Sequence, residues 1–341
     1  MTEKPEDQTR TIEESSSESR FDIEIALRSD VGSVRTDNQD FAITSTEAES
    51  TREHGHLMVV ADGMGGHKGG ATASMLAATT IKKSYFESEG DDVPGALREA
   101  IEKANARIHE EATENDELEG MGTTTSAMVI RDGKSWIGHV GDSRIYRIRN
   151  GAIEQMTEDH SLVATMVKEG LLTSEEAEIH PRRNVLQRSM GVSAEVEIDI
   201  SGPIDLEPGD RFVLCSDGLH GLVTGDEIAE VAGSGDINAA ADRFIELAME
   251  RGAHDNVTVI IAAVEEDGES SAEAGRDEAV GGSAPKADEP DDEVAGSSPE
   301  PSIGARGCLL RTLLVVFGLL AVVGSFFLLV AGDLFVSWFN N

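Results

Sequence analysis

Short β-rich runs alternate with longer helical patterns between residues 21 and 264. Leu97, Ile101, Ala104 and Ile108 recur at helical spacing and predict an amphipathic helix. By the same reasoning, helices are predicted at 70–88, 94–113, 161–170, 174–180, 225–232 and 238–250. Runs rich in β-branched residues between turn residues predict strands at 22–28, 41–45, 56–61, 124–131, 135–141, 144–149, 196–200, 211–216 and 257–264.

The order of these elements predicts the fold class. Most predicted strands follow one another without an intervening helix, and the dipeptides Asp132-Gly133 and Asn150-Gly151 are typical of tight hairpin turns. This order favours antiparallel sheets over a parallel βαβ sheet. We therefore expect an α+β fold in which two packed antiparallel β-sheets form a central sandwich, flanked by helices on both sides.

The regions outside this body have different compositions. Residues 1–20 are polar and lack apolar periodicity, which predicts a disordered arm before a folded domain at 21–264. Residues 265–305 carry 13 acidic and 2 basic side chains among Gly, Ser, Ala and Pro, which predicts a disordered acidic linker. A transmembrane helix is predicted at 309–332, followed by a short extracytoplasmic tail at 333–341.

The transmembrane prediction rests on an uncharged stretch. Thr312 to Gly332 contains no charged residue, and its 21 residues would span about 31 Å as a helix, the thickness of a bilayer core. Arg306 and Arg311 precede the stretch, and Trp338 follows it at the predicted interface. The positive-inside rule then predicts a single-pass protein of the cell membrane with its folded domain, residues 21–264, in the cytoplasm.

The net charge of the chain excludes one class of function. With 28 basic and 65 acidic residues, the formal net charge is −37, which excludes a protein that holds nucleic acid by electrostatic attraction. The acidity fits either an ordinary soluble surface or adaptation to high salt, where screening weakens repulsion among carboxylates. Only Cys215 and Cys308 are present, so no disulfide framework is expected.

Five aspartates stand beside predicted strands. Asp40 and Asp255 come just before apolar runs, whereas Asp62, Asp142 and Asp217 come just after them. If these strand ends meet, the carboxylates gather, and such groups stay ionised together only with cations. Oxygen ligands of this kind suit the hard ions Mg²⁺ and Mn²⁺.

Seven short motifs carry a family resemblance. They are Arg35-Thr36-Asp37-Asn38-Gln39-Asp40, Asp62-Gly63-Met64-Gly65-Gly66, Gly122-Thr123-Thr124, Gly141-Asp142-Ser143-Arg144, Asp159-His160-Ser161, Ser216-Asp217-Gly218-Leu219 and Asp255-Asn256-Val257-Thr258. In this order, over about residues 22–264, the chain resembles the bacterial form of the metal-dependent protein serine/threonine phosphatases, the protein phosphatase 2C type.

The resemblance implies a role for each matching residue. Asp62 matches the carboxylate that bridges two metal ions, and the Gly63 carbonyl matches a further ligand. Asp217 and Asp255 match ligands of the first ion, and Asp40 matches the residue that holds the second ion, mostly through waters.

Two further residues complete the implied site. Asp142, together with Asp217, matches the position of a third, weaker ion in bacterial members, and Arg35 matches the arginine that grips the substrate phosphate, so Arg35 and Asp62 are the implied catalytic residues. The implied cofactors are Mg²⁺ or Mn²⁺. Two such ions lower the pKa of a shared water, and the bridging hydroxide attacks phosphorus in line.

The sequence departs from the animal members at one position. Met64 stands where they have a histidine that has been assigned as proton donor to the leaving group. The proton then comes either from metal-bound water or from His160, for which a structural role in closing the turn before the next helix is the competing interpretation.

The predicted function is hydrolysis of phosphoserine and phosphothreonine on proteins by a membrane-tethered enzyme that opposes a Ser/Thr kinase. The expected partners are phosphorylated proteins, that kinase and the membrane, and no nucleic acid. Three alternatives remain at this point. They are a catalytically silent, membrane-anchored phosphoprotein-binding scaffold, a phosphatase dedicated to an anti-sigma antagonist, and a hydrolase of small phosphoesters.

Overall fold

The computed structural model describes residues 21–46, 54–89 and 92–266. The strands are β1 (Phe21–Asp30), β2 (Asp40–Thr44), β3 (His56–Met64), β4 (Gly122–Thr123), β5 (Thr125–Arg131), β6 (Lys134–Val140), β7 (Arg144–Arg149), β8 (Ala152–Gln155), β9 (Asp199–Asp205), β10 (Arg211–Cys215) and β11 (Val257–Glu266). They form one sheet in the order β1-β11-β10-β7-β8 and a second in the order β2-β3-β5-β6-β9, where β4 pairs with the end of β3. All these pairings are antiparallel.

Seven α-helices accompany the sheets in the described ranges. They are α1 (Gly66–Phe86), α2 (Val93–Glu114), α3 (Leu162–Lys168), α4 (Ser174–Glu178), α5 (Asp217–His220), α6 (Gly225–Ala232) and α7 (Ile237–Glu250). Helix α2 begins where its sequence directs, because the Asp92 side chain accepts a hydrogen bond from the Gly95 amide at 3.1 Å and proline occupies the first turn.

Three hydrophobic cores hold the layers together. Along β3, Leu57 and Val59 pack toward α1 and α2, whereas Met58 and Val60 point into the core between the sheets. A third core lies between the first sheet and the helices α5, α6 and α7, where Phe244 is fully buried. Strands β3, β10 and β11 are covered on both faces, and each accordingly contains a run of consecutive apolar residues. The predicted sandwich with helices on both sides is confirmed.

Both predicted hairpin turns are present. Asp132 and Gly133 have φ values of 51° and 70°, and Asn150 and Gly151 have values of 52° and 76°. Two successive residues with positive φ form the turn that matches the twist of paired strands. Asp132 and Asn150 therefore have a structural role in these turns.

The strand predicted at 196–200 is present but begins and ends later in the chain than predicted. Strand β9 runs from Asp199 to Asp205 and contains Gly202-Pro203, two residues that usually indicate the end of a strand. Proline is tolerated there because β9 lies at the edge of its sheet. The short strand β8 and the single-turn helix α5 were not predicted.

The predicted terminal regions lie outside the described residues. These are the arm at 1–20, almost all of the linker at 265–305, the transmembrane helix at 309–332 and the tail at 333–341. Within residues 21–46, 54–89 and 92–266, no helix has the length and apolar character needed to cross a membrane. The chain divides into two units, Met1–Ala279 and Val280–Asn341, and all described residues belong to the first.

Candidate metal centre and active site

The two sheets bring the five aspartates to one end of the sandwich. Asp40 opens β2 and lies directly opposite Asp62 of β3 in the antiparallel pair. Asp217 begins α5 immediately after β10, and Asp255 stands two residues before β11, the strand that pairs with β10. Asp142 lies in the connection from β6 in the second sheet to β7 in the first. The topology therefore agrees with the expectation from the sequence that these strand ends lie close together.

The carboxyl groups destabilise one another's charge. Burial, and then the charges of Asp40, Asp217, Asp142 and Asp255, hold the pKa of Asp62 well above its ordinary range. Burial is also the largest cause that raises the pKa of Asp40 to about 7 and that of Asp142 to about 7. The pKa of Asp217 is raised by burial and by the neighbouring Asp255. Without a cation, the charged forms of these four carboxyls are therefore destabilised.

This donor set fits hard divalent cations. In the part of the chain that the structure describes, no group of three or more His, Cys, Asp or Glu side chains is arranged to hold an ion directly. Mg²⁺ nevertheless keeps several of its waters and needs only one or two carboxylates in proteins. Buried carboxylates that raise one another's pKa lose this penalty when a dication joins them. The residues present therefore suit ions held partly through water.

The Asp62-Gly63 pair near the end of β3 requires glycine at position 63 for a steric reason. A Cβ atom on Gly63 would lie 2.0 Å from the Gly70 carbonyl oxygen and 2.7 Å from that of Gln39. The close approach lets the first turns of α1 pack against the end of β3, where the Ser74 hydroxyl also donates to the Gln39 carbonyl at 2.6 Å. This contact fixes the backbone that carries Asp62. The role of the Gly63 carbonyl as a metal ligand stays a prediction.

Arg35 reaches the same end of the molecule from the loop between β1 and β2. Its Nη2 donates to Asp255 Oδ2 at 2.8 Å, and its side chain remains 46% exposed. The planar guanidinium offers further N–H donors in a geometry that matches phosphate oxygens. The structure thus places the predicted phosphate-binding arginine beside a predicted metal ligand.

Asn256 holds this loop, a role that the sequence analysis missed. Its Oδ1 accepts a hydrogen bond from the Gln39 amide at 2.8 Å, and its Nδ2 donates to the carbonyls of Val31 and Asp37 at 2.9 and 3.0 Å. The buried carboxamide therefore ties both ends of the segment that carries Arg35 to the start of β11. Its presence in the motif Asp255-Asn256-Val257-Thr258 was the available signal.

Ser216 positions Asp40 and was also missed. Its hydroxyl donates to Asp40 Oδ2 at 2.7 Å and accepts from the Thr258 amide at 3.1 Å. Ser216 precedes Asp217, so one short segment of the first sheet orients carboxylates from both sheets.

His160 has the contacts of a structural residue. Its Nδ1 accepts a hydrogen bond from the Gly141 amide at 3.1 Å, so the neutral ring carries its proton on Nε2, 3.2 Å from Asp199 Oδ2. The His160 amide also donates to the Gly141 carbonyl at 2.7 Å. The histidine thus fixes the backbone next to Asp142, which favours the structural interpretation over the proton-donor interpretation.

Comparison with known proteins matches this geometry to a family. The model of the family described as protein phosphatase 2C matches residues 33–255. The chain belongs to the protein phosphatase 2C family. The prediction of a protein-serine/threonine phosphatase is confirmed, because relatives with that name match most of the chain.

Members of the protein phosphatase 2C family from several bacteria are similar to the chain. Protein phosphatase PhpP of Streptococcus pneumoniae is 38% identical over 251 residues, which cover 72% of the chain and 99% of PhpP. Serine/threonine protein phosphatase PstP of Mycobacterium tuberculosis is 37% identical over 242 residues, which cover 71% of the chain and 45% of PstP.

Solved structures of the protein phosphatase 2C type share the fold. The Mycobacterium tuberculosis phosphatase PstP superposes with a TM-score of 0.64 and 36% identity over 72% of the chain and 99% of that structure. A catalytic domain of PstP in complex with two manganese ions has a TM-score of 0.63 and 34% identity over 72% of the chain and all of that structure. Phosphatases of this type use Mg²⁺ or Mn²⁺, which confirms the predicted cofactors.

Proposed function

We propose that the five aspartates and Arg35 form the hydrolytic centre of this phosphatase, and that the enzyme works while tethered to a membrane, where it opposes a Ser/Thr kinase. The observation that carries the first part is that an exposed arginine lies beside a cluster in which burial and neighbouring charges raise the pKa of four of the five carboxyls. Such a cluster costs stability, and a site that serves only the fold would not need it.

The carboxylates divide the metal-binding work. Asp62 interacts electrostatically with the aspartates of both sheets and would be shared by two ions. Asp217 and Asp255 would hold one ion, and Asp40, oriented by the Ser216 hydroxyl, would hold the other. Bound Mg²⁺ or Mn²⁺ would supply a water of lowered pKa as the nucleophile and would neutralise charge on the phosphoryl oxygens.

Arg35 would bind and orient the phosphoryl group. Its Nη2 contacts Asp255, so the guanidinium is already held at the edge of the carboxylate cluster. An approaching phosphomonoester would meet the remaining N–H donors, which can grip two oxygens at once. This grip would align the ester for attack from the side of the carboxylates.

A matched pair of variants tests this centre. Asp62 and Asp132 each precede a glycine, but Asp132 lies in a hairpin turn with a side chain that is 66% exposed. Asp62→Asn should abolish Mn²⁺-dependent phosphate release from a phosphothreonine peptide, whereas Asp132→Asn should leave it unchanged. Undiminished turnover by folded Asp62→Asn would refute the proposed centre.

The sequence beyond the catalytic domain supports the tether. The uncharged stretch from Thr312 to Gly332 is long enough to span a bilayer, and the acidic segment at 265–305 would let the catalytic domain sweep the membrane surface. Confinement to that surface raises the effective concentration of the enzyme near membrane-bound kinases and their targets.

Deletion of residues 303–341 tests the tether. The truncated enzyme should leave the membrane fraction and should lose activity toward membrane-associated phosphoproteins in cells, while it retains activity toward a soluble phosphopeptide. Unchanged fractionation and unchanged cellular phosphorylation would contradict the proposal. A variant in which Leu and Val of the stretch are exchanged without loss of hydropathy serves as the matched control.

A further inference from the structure

Two threonines hold the backbone of Asp62. The Asp62 amide donates to Thr124 Oγ1 at 2.9 Å, and the Thr124 amide donates back to the Asp62 carbonyl at 2.9 Å. The Thr123 hydroxyl donates to the same carbonyl at 2.8 Å. Both threonines are buried. The peptide groups on each side of Asp62 are therefore fixed by partners that water cannot replace.

One of these threonines continues to the loop of Asp142. Thr124 Oγ1 lies 2.7 Å from the hydroxyl of Ser143, with one of the two groups donating to the other. Ser143 follows Asp142 directly and is fully buried. A single pair of hydroxyls thus connects the backbone that carries Asp62 to the backbone that carries Asp142.

The rest of the Asp142 loop is anchored elsewhere. The Ser126 hydroxyl donates to the Ser143 carbonyl at 2.6 Å, and His220 Nε2 lies 3.0 Å from the Asp142 carbonyl. His160 binds the neighbouring Gly141. Among these described hydrogen bonds, the one between Thr124 and Ser143 joins the loop to a side chain that also binds Asp62.

We infer that Thr124 and Ser143 are positioning residues that fix the separation of Asp62 and Asp142 and thereby set the affinity of the ion that Asp142 helps to hold. The inference rests on the proposed ligand roles of both aspartates. Partners in the outer shell of a metal site orient its ligands, and their loss commonly weakens metal binding 10- to 100-fold. A hydrogen bond between two buried hydroxyls can hold the two backbones at a fixed separation, because neither hydroxyl can exchange its partner for water.

The chain offers a closely matched control for the test. Thr124 packs its γ-methyl group against Gly141, where an added Cβ would lie 2.6 Å from that methyl. Thr124→Val therefore keeps the shape and removes only the hydroxyl. The adjacent Thr125 is equally buried, and within the described residues its hydroxyl has no hydrogen-bond partner. Thr125→Val is thus the same substitution without a lost hydrogen bond.

The measurement is calorimetric titration of the full chain with Mn²⁺ alone, without substrate, followed by phosphate release as a function of Mn²⁺ concentration. Thr124→Val should bind Mn²⁺ about 10-fold more weakly at its weakest site and should need correspondingly more Mn²⁺ for half-maximal activity. Ser143→Ala should also bind Mn²⁺ more weakly. The double variant should bind no more weakly than Thr124→Val alone, because Thr124→Val already removes the hydrogen bond to Ser143 together with the one from the Asp62 amide. Thr125→Val and Thr124→Ser, which keeps the hydroxyl, should bind as the unaltered chain does.

Two results would overturn the inference. One is unaltered Mn²⁺ binding by folded Thr124→Val or, if that variant does not fold, by Ser143→Ala. The other is an equal loss in Thr125→Val. The proposed metal centre is tested separately by Asp62→Asn. Retained Mn²⁺ binding and turnover in that variant would reject the assignment of Asp62 as a metal ligand.

Discussion

Neutralising Asp40 should stabilise the metal-free protein. Its side chain is 7% exposed, and burial raises its pKa from 3.8 to about 7. A carboxyl with a higher pKa in the folded state binds its proton more tightly there than in the unfolded chain. The free energy of unfolding therefore falls as pH rises from about 4 to about 7, and the loss is complete above that range.

The shift sets the size of the effect. About three pKa units correspond to about 4 kcal/mol, at 1.36 kcal/mol per unit. Asparagine carries no charge at any of these pH values, and its Oδ1 can still accept from the Ser216 hydroxyl. Metal-free Asp40→Asn should therefore exceed the original chain in stability by about 4 kcal/mol at pH 8 and by about 2 kcal/mol at pH 5.

The assay is denaturant unfolding in EDTA at both pH values, with Asp132→Asn as the exposed control. Excess Mn²⁺ should reverse the order, because the original chain gains the free energy of ion binding and the variant gains less. If Asp40→Asn is no more stable at pH 8 than at pH 5, relative to the original chain, Asp40 is not an ionised buried group and the argument fails.

Two further predictions concern Arg35 and His139. Arg35→Ala should lower kcat/KM for a phosphothreonine peptide about 100-fold, and Arg35→Lys should lower it less, unless the geometry of the guanidinium matters more than its charge. Steady-state kinetics at saturating Mn²⁺ measure both losses. Unchanged kinetics in Arg35→Ala would contradict the role of Arg35. Burial, and then the charge of His160, lowers the pKa of His139 from 6.5 to about 4, so stability should fall by about 3 kcal/mol as pH drops through that window, because the unfolded chain binds the proton first. Unfolding of His139→Asn between pH 7 and pH 4 should show a shallower fall, and an identical slope would refute the assignment.

The positions of the aspartates could be predicted because each adjoins an apolar run. An apolar run marks a strand, and the side chain at its end is then confined to the end of a sheet. The hairpins at Asp132 and Asn150 could be predicted for a similar local reason. By contrast, β8 contains only one partly buried apolar side chain, Ile153, so its pattern gives little sign of a strand.

The contacts that orient the aspartates could not be predicted from the sequence. Asn256 contacts a segment more than 200 positions earlier in the chain, and Ser216 contacts Asp40 across 176 positions. A lone serine or asparagine in a motif does not indicate its distant partner, because many loops carry such residues. Only the folded structure shows that the Thr124 hydroxyl contacts both the Asp62 amide and the Ser143 hydroxyl.

The division of the aspartates between the sheets has a mechanical consequence. Asp40 and Asp62 belong to one sheet, Asp217 and Asp255 adjoin strands of the other, and Asp142 lies where the chain crosses between them. Between the sheets, the described core consists of packed apolar side chains, whose attraction is not directional. Ions bound by aspartates of both sheets would cross-link the two sheets at this end, much as a disulfide cross-links a secreted domain. Chelation would then loosen the sheets locally at the metal site, while the core between them stays packed.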